Sequence, residues 1–213
     1  MPIIHIKTDN TVNAEIFFWK IEESITELSD IIADGGMLLS QAQKRFKSTK
    51  RQCEWLATRA LLMHTPYKGL QILYHSNGKP YLSDKSVHIS ISHTADFVAV
   101  AIAVAPIGID IETKNRNAIA VASAFLQPHE VETMLGSTNR ENEALCIWTA
   151  KEAAFKLCPD RSEILKDITA NLQQNSGSTS FYSITYKDGT TAACRTTEHD
   201  SFILSVCTAE HPK

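Results

Sequence analysis

Two short segments of the sequence contain residue types that could bind a metal ion and a phosphate group. Asp110 and Glu112 lie two residues apart at the end of an apolar segment, and Glu152 and Lys156 lie four residues apart in a later one. Carboxylate oxygens are the ligands that Mg²⁺ and Mn²⁺ prefer, and a lysine supplies a positive charge for a phosphate. If the two segments converge in the fold, the sequence predicts a site for a divalent cation next to an anionic ligand.

The spacing within each segment places the candidate side chains on one face of its element. Residues two apart on a strand project from the same side, with Cα atoms roughly 6.5–7 Å apart, so Asp110 and Glu112 could share one ion. Residues four apart on a helix also share a face, which groups Trp148, Glu152 and Lys156. The simpler alternatives are a solvated strand end and an exposed Glu–Lys pair, which contributes only ~0.2–0.5 kcal/mol. The small and aromatic residues around Glu152 instead indicate a helix that packs closely.

Several basic and polar residues could bind the anion. Ser92 and His93 end a segment of alternating polarity, and Lys79 and Pro80 follow a glycine in a predicted turn. Five lysines and arginines lie between residues 44 and 51. Such a run is usually a solvated helix face, but in an acidic chain it could also attract a phosphate or an acidic protein.

The elements that must position these residues alternate between helices and strands. Apolar residues at helical spacing predict a helix over residues 21–32 that Gly35 and Gly36 end, and Ser40 with Gln43 predicts the capping box of the next helix. Further helices are predicted over residues 118–125, 128–135 and 140–157, with Glu130 in a first turn, where a carboxylate complements the helix dipole. Strands are predicted over residues 16–19, 71–74, 87–92, 97–105, 107–111, 167–172, 180–186 and 201–208. This order predicts a mixed α/β (α+β) protein whose sheets can be antiparallel.

The overall composition argues against several other classes of protein. The 213 residues carry a formal net charge of -3, whereas a nucleic-acid-binding protein is usually basic. The five cysteines form no CxxC pair, which favours free thiols in a reducing compartment over a zinc site. The longest apolar stretch, residues 97–105, is far shorter than the roughly 20 residues that span a bilayer, and the N-terminus lacks the pattern of a signal peptide. We therefore expect a soluble cytoplasmic protein that binds neither nucleic acid nor membrane.

Four stretches, taken together and in order, carry a family resemblance. They are residues 78–80 (Gly-Lys-Pro), 89–93 (Ile-Ser-Ile-Ser-His), 107–112 (Ile-Gly-Ile-Asp-Ile-Glu) and 148–156 (Trp-Thr-Ala-Lys-Glu-Ala-Ala-Phe-Lys). The chain resembles the 4′-phosphopantetheinyl transferases of the larger, surfactin-synthetase-activating type, most clearly between residues 77 and 157. In that family two similar α/β halves are fused into a pseudo-dimer, with coenzyme A in the cleft between them. The resemblance implies halves at residues 1–105 and 106–213, and a chain that works as a monomer.

The resemblance also implies a role for each candidate residue. Asp110, Glu112 and Glu152 would hold Mg²⁺ on the pyrophosphate of coenzyme A, and Lys156 would contact a phosphate of the same group. The adenosine and 3′-phosphate side would be lined by Lys79, Pro80, Ser92, His93 and a basic residue of the first long helix, for which Arg51 is the candidate and Lys47 or Lys50 are alternatives.

The implied reaction transfers 4′-phosphopantetheine from coenzyme A to a serine of an apo acyl or peptidyl carrier protein and releases adenosine 3′,5′-bisphosphate. Such a transfer depends mainly on positioning and on charge neutralisation. Glu152, Glu130 or a metal-bound water could accept the serine proton. Two alternatives stay open: a Mg²⁺-dependent phosphodiesterase, and a non-catalytic protein that binds coenzyme A or a nucleotide. Residues 157–160 (Leu-Cys-Pro-Asp) motivate the second, because many relatives have a glycine-containing loop there.

Overall fold

The structure is a computed structural model that describes residues 3–7, 14–94, 96–158 and 163–209. Within these residues it contains two larger antiparallel sheets, a two-stranded ribbon and six α-helices. The mixed α/β class predicted from the sequence is confirmed. None of the helices in the described part of the chain is both long and apolar enough to cross a lipid bilayer.

The N-terminal part of the chain forms the first sheet and the helices that cover it. Its elements are β1 (Ile3–Lys7), β2 (Ala14–Lys20), α1 (Ile25–Ile31), α2 (Gly35–Arg45), α3 (Thr49–Met63), β3 (Ile72–Tyr74), β4 (Pro80–Leu82), β5 (His88–Thr94) and β6 (Phe97–Ala103). The sheet has the strand order β1-β2-β6-β5, while β3 and β4 form the separate ribbon. The long apolar runs of β2 and β6 lie in the middle of this sheet, as expected for strands covered on both faces.

The C-terminal part of the chain forms the second sheet. Its elements are β7 (Ile107–Thr113), α4 (Ala122–Phe125), α5 (Pro128–Gly136), α6 (Arg140–Leu157), β8 (Thr169–Ser176), β9 (Thr179–Thr185), β10 (Thr191–Glu198) and β11 (Phe202–Ala209), with short 3₁₀ turns at Ile119–Val121 and Leu165–Asp167. The strand order is β7-β11-β10-β9-β8. β7 is therefore an edge strand of the second sheet, just as β5 is an edge strand of the first.

Buried apolar residues form three clusters. One lies between the first sheet and its helices and includes Trp19 and Leu61, and a second lies between the second sheet and α6 and includes Ile184. The third lies between the two sheets, where Phe18 of β2 packs 5.6 Å from Phe202 of β11 between ring centroids. Because strand side chains alternate, β2 and β6 contribute to the first and the third cluster at once. The two sheets thus share a core.

The facing edges of the two sheets are joined by side-chain hydroxyl groups. Three hydroxyls of β5 accept hydrogen bonds from backbone N–H groups of β7, and we call this set the hydroxyl junction. The bonds run from Ile109 N to Ser90 Oγ (3.0 Å), from Ile111 N to Ser92 Oγ (3.2 Å) and from Thr113 N to Thr94 Oγ1 (3.4 Å). A buried backbone N–H without a partner costs free energy, so these hydroxyls satisfy groups that a neighbouring strand would otherwise pair.

Gly108 allows α6 to pack directly against β7. A Cβ atom on Gly108 would lie 2.0 Å from the carbonyl oxygen of Ala153 and 2.7 Å from the backbone nitrogen of Leu157. No side chain fits in that space, so glycine permits the close approach of the two backbones. The approach brings the polar face of α6 to the strand that carries Asp110.

The helices of the N-terminal part differ from the sequence prediction in two places. α1 ends before Gly35 and Gly36 are reached, and Gly35 opens α2 instead of ending a helix. A Cβ on Gly35 would lie 1.7 Å from the carbonyl oxygen of Ser29, so a close approach of two segments explains the glycine. The predicted capping box at Ser40 is wrong because Ser40 lies inside α2, and the chain becomes extended at Phe46 before α3 begins.

The other elements follow the prediction more closely. α6 has the predicted bounds, and the segment predicted as a helix over residues 118–125 forms a 3₁₀ turn followed by α4. β10 was not predicted, since its buried positions are occupied by the weakly apolar Ala192, Cys194 and Thr196. The division at residues 105 and 106 and the likeness of the two halves stay predictions, with β6 ending the first sheet at Ala103 and β7 opening the second at Ile107.

Candidate functional site

The candidate site lies where β5, β7 and α6 meet. β7 carries Asp110 and Glu112, α6 carries Glu152 and Lys156, and β5 carries Ser92. Strand β7 is held beside β5 by the hydroxyl junction and beside α6 by the close approach at Gly108. The structure therefore brings together the two segments that the sequence singled out.

Asp110 is buried and uses only one of its two carboxylate oxygens. Its Oδ1 accepts hydrogen bonds from Ser92 Oγ at 2.8 Å and from Lys156 Nζ at 2.7 Å. Its Oδ2 is buried and has no hydrogen-bond partner among the described residues. An unpaired buried carboxylate oxygen is costly, so this atom marks a position where a cation or a donor would stabilise the site.

Both oxygens of the Glu112 carboxylate are occupied by protein donors. Oε1 accepts from Arg116 Nη1 at 2.5 Å and from Trp148 Nε1 at 3.3 Å, and Oε2 accepts from Thr94 Oγ1 at 3.0 Å. Burial raises the pKa of Glu112, and the carboxylate of Asp110 raises it further, while Arg116 acts in the opposite direction. The structure thus pairs Glu112 with Arg116 and Thr94, which the sequence reasoning did not select, and with Trp148, which it placed on the same face as Glu152.

Glu152 faces the same carboxylates from α6. Burial raises its pKa to about 7, and the nearby charge of Asp110 adds to the shift, whereas Lys156 opposes it. No hydrogen bond to its carboxylate is present among the described residues. Glu152 therefore changes protonation state near neutral pH and has oxygens free to bind a ligand.

The donor set fits a hard divalent cation, although the described residues contain no preformed cluster of three His, Cys, Asp or Glu side chains that could hold a metal ion. Asp110 Oδ2 and the Glu152 carboxylate supply unpaired oxygens, as Mg²⁺ or Mn²⁺ requires. Glu112 could join them through Oε2, which accepts one hydrogen bond, or through Oε1 after Arg116 had moved. The assignment of the three carboxylates as metal ligands stays a prediction.

A cavity of about 350 Å³ lies on the N-terminal side of the site and is lined by residues of α3, β5 and the ribbon, including Arg51, Glu54, Trp55, Pro80 and His93. Arg51 Nη1 lies 2.7 Å from His93 Nε2 and 3.2 Å from Glu54 Oε2. Burial lowers the pKa of His93, which favours the neutral ring, although Glu54 opposes the shift. The indole Nε1 of Trp55 is buried without a partner among the described residues. The cavity thus brings two arginines, Arg45 and Arg51, together with aromatic side chains, as an anionic aromatic ligand requires.

Lys79 contacts α6 instead of lining this cavity. Its Nζ donates to the carbonyl oxygen of Leu157 at 3.0 Å, at the C-terminus of the helix, where a positive charge is favourable. The turn before it contains Gly78 at a φ of 86°, a conformation that suits glycine. The ribbon turn is therefore tied to the end of the helix that carries Lys156.

Glu130, the other candidate proton acceptor, lies in a buried ion pair. Its Oε2 is 2.6 Å from Lys151 Nζ and accepts from the Gln127 backbone, and its Oε1 accepts from the Ala170 backbone at 2.8 Å. Lys151 also donates to the Phe125 carbonyl oxygen at 2.6 Å, and burial lowers its pKa. Within the described part of the chain, no contact joins Glu130 to the three carboxylates of the site. The contacts of Glu130 favour a role in holding α5, α6 and β8 together.

The sequence reasoning missed several residues that shape the site. Thr94 could have been found, because it lies two residues beyond Ser92 on the same face of a strand. Arg116 lies in a turn after β7, and no periodic pattern marks its contact with Glu112. The altered segment after Lys156 includes Pro159 and Asp160, which lie outside the described residues.

The comparison with known protein families concerns the C-terminal part of the chain. Residues 106–207 match the family model of the 4′-phosphopantetheinyl transferase superfamily. This segment runs from β7 into β11 and contains Asp110, Glu112, Glu152 and Lys156. The match supports the general superfamily and, with it, phosphopantetheine transfer as the general activity. It does not distinguish the larger pseudo-dimeric type. A comparison with curated proteins found no match.

Proposed function

We propose that this protein transfers 4′-phosphopantetheine from coenzyme A to a serine hydroxyl of an apo acyl or peptidyl carrier protein, and that it is of the larger, pseudo-dimeric type. The observation that carries the proposal is the meeting of Asp110, Glu152 and Lys156 inside the segment that matches the superfamily, with Lys156 bonded to Asp110 Oδ1 and Asp110 Oδ2 left unpaired among the described residues. This arrangement offers oxygen ligands for a cation and a lysine for a phosphate within one site.

Asp110 and Glu152 would hold the cation, and Mg²⁺ or Mn²⁺ bound there would neutralise negative charge on the pyrophosphate of coenzyme A. Lys156 reaches the same place, because its Nζ lies between Asp110 Oδ1 and Ser92 Oγ at 2.7 and 2.9 Å. It can turn one of its three N–H donors to a phosphate oxygen. These residues supply the positioning and charge neutralisation on which phosphoryl transfer depends.

The serine oxygen of the carrier would attack the β-phosphorus of coenzyme A, and the bond to adenosine 3′,5′-bisphosphate would break. The serine proton needs an acceptor within the site. Glu152 suits this role by position, because it faces Asp110 from α6 and no protein donor among the described residues occupies its two oxygens, so one could bind the cation while the other accepts the proton. Glu130 is less suited, because Lys151 and two backbone N–H groups occupy its oxygens.

The cavity beside α3 would take the adenosine and 3′-phosphate end of coenzyme A. Arg51 and Arg45 carry positive charge there, and Pro80 and His93 form part of the wall. Lys79 donates to the Leu157 carbonyl oxygen at the end of α6, and Ser92 donates to Asp110, so the structure gives neither residue a place in the cavity wall. A ligand that extends from Arg51 to Asp110 would therefore contact both parts of the chain, as the pseudo-dimeric arrangement requires.

Mass spectrometry of an apo carrier protein incubated with this protein, coenzyme A and Mg²⁺ tests the proposal. We expect a mass gain of one phosphopantetheine that disappears when EDTA is added. Asp110→Asn should abolish the gain while leaving the circular dichroism spectrum unchanged, whereas Asp30→Asn, at an exposed position of α1, should retain it. Saturable binding of coenzyme A without modification of several acyl and peptidyl carriers would contradict transfer and support a binding protein. Turnover of coenzyme A without a carrier would instead support a phosphodiesterase.

A further inference from the structure

Arg116 pairs with one of the two carboxylate oxygens through which Glu112 could bind a cation. Its Nη1 lies 2.5 Å from Glu112 Oε1, and its side chain is 42% exposed, whereas that of Glu112 is 9% exposed. A guanidinium and a metal ion are both positively charged and repel each other. When both bind one carboxylate oxygen, each is therefore bound more weakly than it would be alone. The Arg116 side chain borders solvent and can leave the pair without breaking the core.

The surroundings of Arg116 hold its guanidinium in this place. The group lies over the indole ring of Trp148, 4.6 Å from the ring centroid, and Trp148 packs edge-on against Phe125 at 5.0 Å. Trp148 Nε1 donates to the same Glu112 oxygen at 3.3 Å. The backbone N–H of Arg116 donates to the Thr113 carbonyl oxygen at 3.0 Å, so the residue lies in a tight turn directly after β7. Stacking, charge and turn geometry therefore favour one position of the guanidinium.

The three carboxylates of the site differ in their hydrogen-bond partners, and Glu112 alone of the three is paired with Arg116 in the described part of the chain. Asp110 has one oxygen without a partner and Glu152 has no hydrogen bond within the described residues, while each oxygen of Glu112 accepts at least one hydrogen bond. Thr94 and Trp148 are neutral donors. Among the described donors to Glu112, Arg116 is the one that brings a positive charge.

We propose that Arg116 is a positioning residue that competes with the divalent cation for Glu112. This inference rests on the cation site of the proposed function. With no substrate bound, the guanidinium stays paired with Glu112 and thereby weakens the binding of the cation. When an anionic substrate enters, the guanidinium gains a second partner of opposite charge beside the site, and Glu112 turns to the cation. Arg116 thereby couples the binding of the cation to that of the substrate.

Binding of Mn²⁺ in the absence of coenzyme A and carrier, followed by the electron paramagnetic resonance signal of free Mn²⁺, tests the competition directly. We expect Arg116→Ala and Arg116→Gln to bind Mn²⁺ about fivefold more tightly than the wild type, the effect of losing one partly exposed ion pair. Arg140→Ala removes an exposed arginine at the start of α6 and should leave Mn²⁺ affinity unchanged. Unchanged or weaker binding in both Arg116 variants would overturn the proposal.

A double-mutant cycle separates competition at Glu112 from the general effect of removing a positive charge. In a Glu112→Gln background the Arg116→Ala change should no longer tighten Mn²⁺ binding, because the contested oxygen has lost its charge. Tightening that persists in this background would refute competition for Glu112. Adding coenzyme A should increase Mn²⁺ affinity less in Arg116→Ala than in the wild type. Absence of Mn²⁺ binding in every variant would refute the cation site and this inference together, while the carrier modification assay would still decide on transfer.

Discussion

Ser92 and Asp110 form the contact through which the junction of the two sheets also orients the site. The Ser92 hydroxyl donates to Asp110 Oδ1 at 2.8 Å, and it accepts from Ile111 N at 3.2 Å and from Lys156 Nζ at 2.9 Å. One donor and two acceptor positions exhaust what a hydroxyl can do. Ser92 Oγ therefore links β5 to β7. It also orients the Asp110 carboxylate, whose Oδ2 has no partner among the described residues.

Replacing Ser92 by alanine should reduce transfer much more than replacing Ser90. Ser92→Ala removes the donor to Asp110 and leaves the buried Ile111 N–H unpaired, at a cost of about 1–3 kcal/mol. Ser90→Ala is the matched control, because Ser90 Oγ accepts from Ile109 N in the same hydroxyl junction without touching a carboxylate of the site. Urea denaturation should show similar losses of stability, while kcat should fall only in Ser92→Ala. Equal kcat values in the two variants would show that the hydroxyl of Ser92 does not orient Asp110.

Gly108→Ala should separate α6 from β7. The added Cβ would lie 2.0 Å from the Ala153 carbonyl oxygen, so the helix has to move, which typically costs about 1–3 kcal/mol or more. Because α6 carries Glu152 and Lys156, transfer and Mg²⁺ affinity should fall together with stability. Gly136→Ala is the control, since a Cβ there meets no atom within 4 Å, and its stability should change by about 1 kcal/mol or less. Normal activity in Gly108→Ala would mean that the site tolerates a displaced helix.

The Glu130–Lys151 pair should matter for stability and not for the chemical step. Lys151→Ala leaves the buried Glu130 carboxylate without its counter-charge, which should destabilise the protein by about 3–5 kcal/mol in chemical denaturation. Replacing both residues, Glu130→Gln with Lys151→Met, should cost less than the sum of the single changes. At a temperature where this double variant is folded, its kcat should be close to that of the wild type. A large loss of kcat there would instead identify Glu130 as the proton acceptor.

The raised pKa of Glu152 predicts how stability depends on pH in the metal-free protein. Folding lifts this pKa from its ordinary value of 4.5 to about 7, so the folded state favours the protonated carboxyl group. The sign follows directly: the wild type loses stability relative to Glu152→Gln as pH rises from about 4.5 to 7, by at most about 3 kcal/mol. Urea denaturation of both proteins in EDTA at several pH values measures the difference, which also cancels the contributions of titrating groups remote from the site. If the free energies of unfolding of the two proteins change in parallel across this pH range, the pKa of Glu152 is the same in the folded and unfolded states.

The sequence predicted the parts of the site that depend on local periodicity. The bounds of α6 and the shared face of Glu152 and Lys156 follow from helical spacing, and the pair of carboxylates on β7 follows from strand alternation. The hydrogen bond between Ser92 and Asp110 could not be predicted from the sequence, because the two residues lie 18 positions apart on edge strands of two different sheets. Only the packing of one sheet edge on the other brings them together. Gly35 is a similar case, since its place depends on a close approach to Ser29 that no local pattern reveals.

The shared core between the sheets has a consequence for any attempt to shorten the chain. The segment that matches the superfamily, residues 106–207, supplies only one side of that core. Expressed alone, it would present to water the apolar side chains of β7 and β11, namely Ile107, Ile109, Ile111, Phe202, Leu204 and Val206. It would also leave the N–H groups of the β7 edge without the hydroxyl acceptors of β5. An apolar face beside an unpaired strand edge is a surface for self-association, so the fragment should aggregate unless residues 1–105 are supplied in trans as its folding partner.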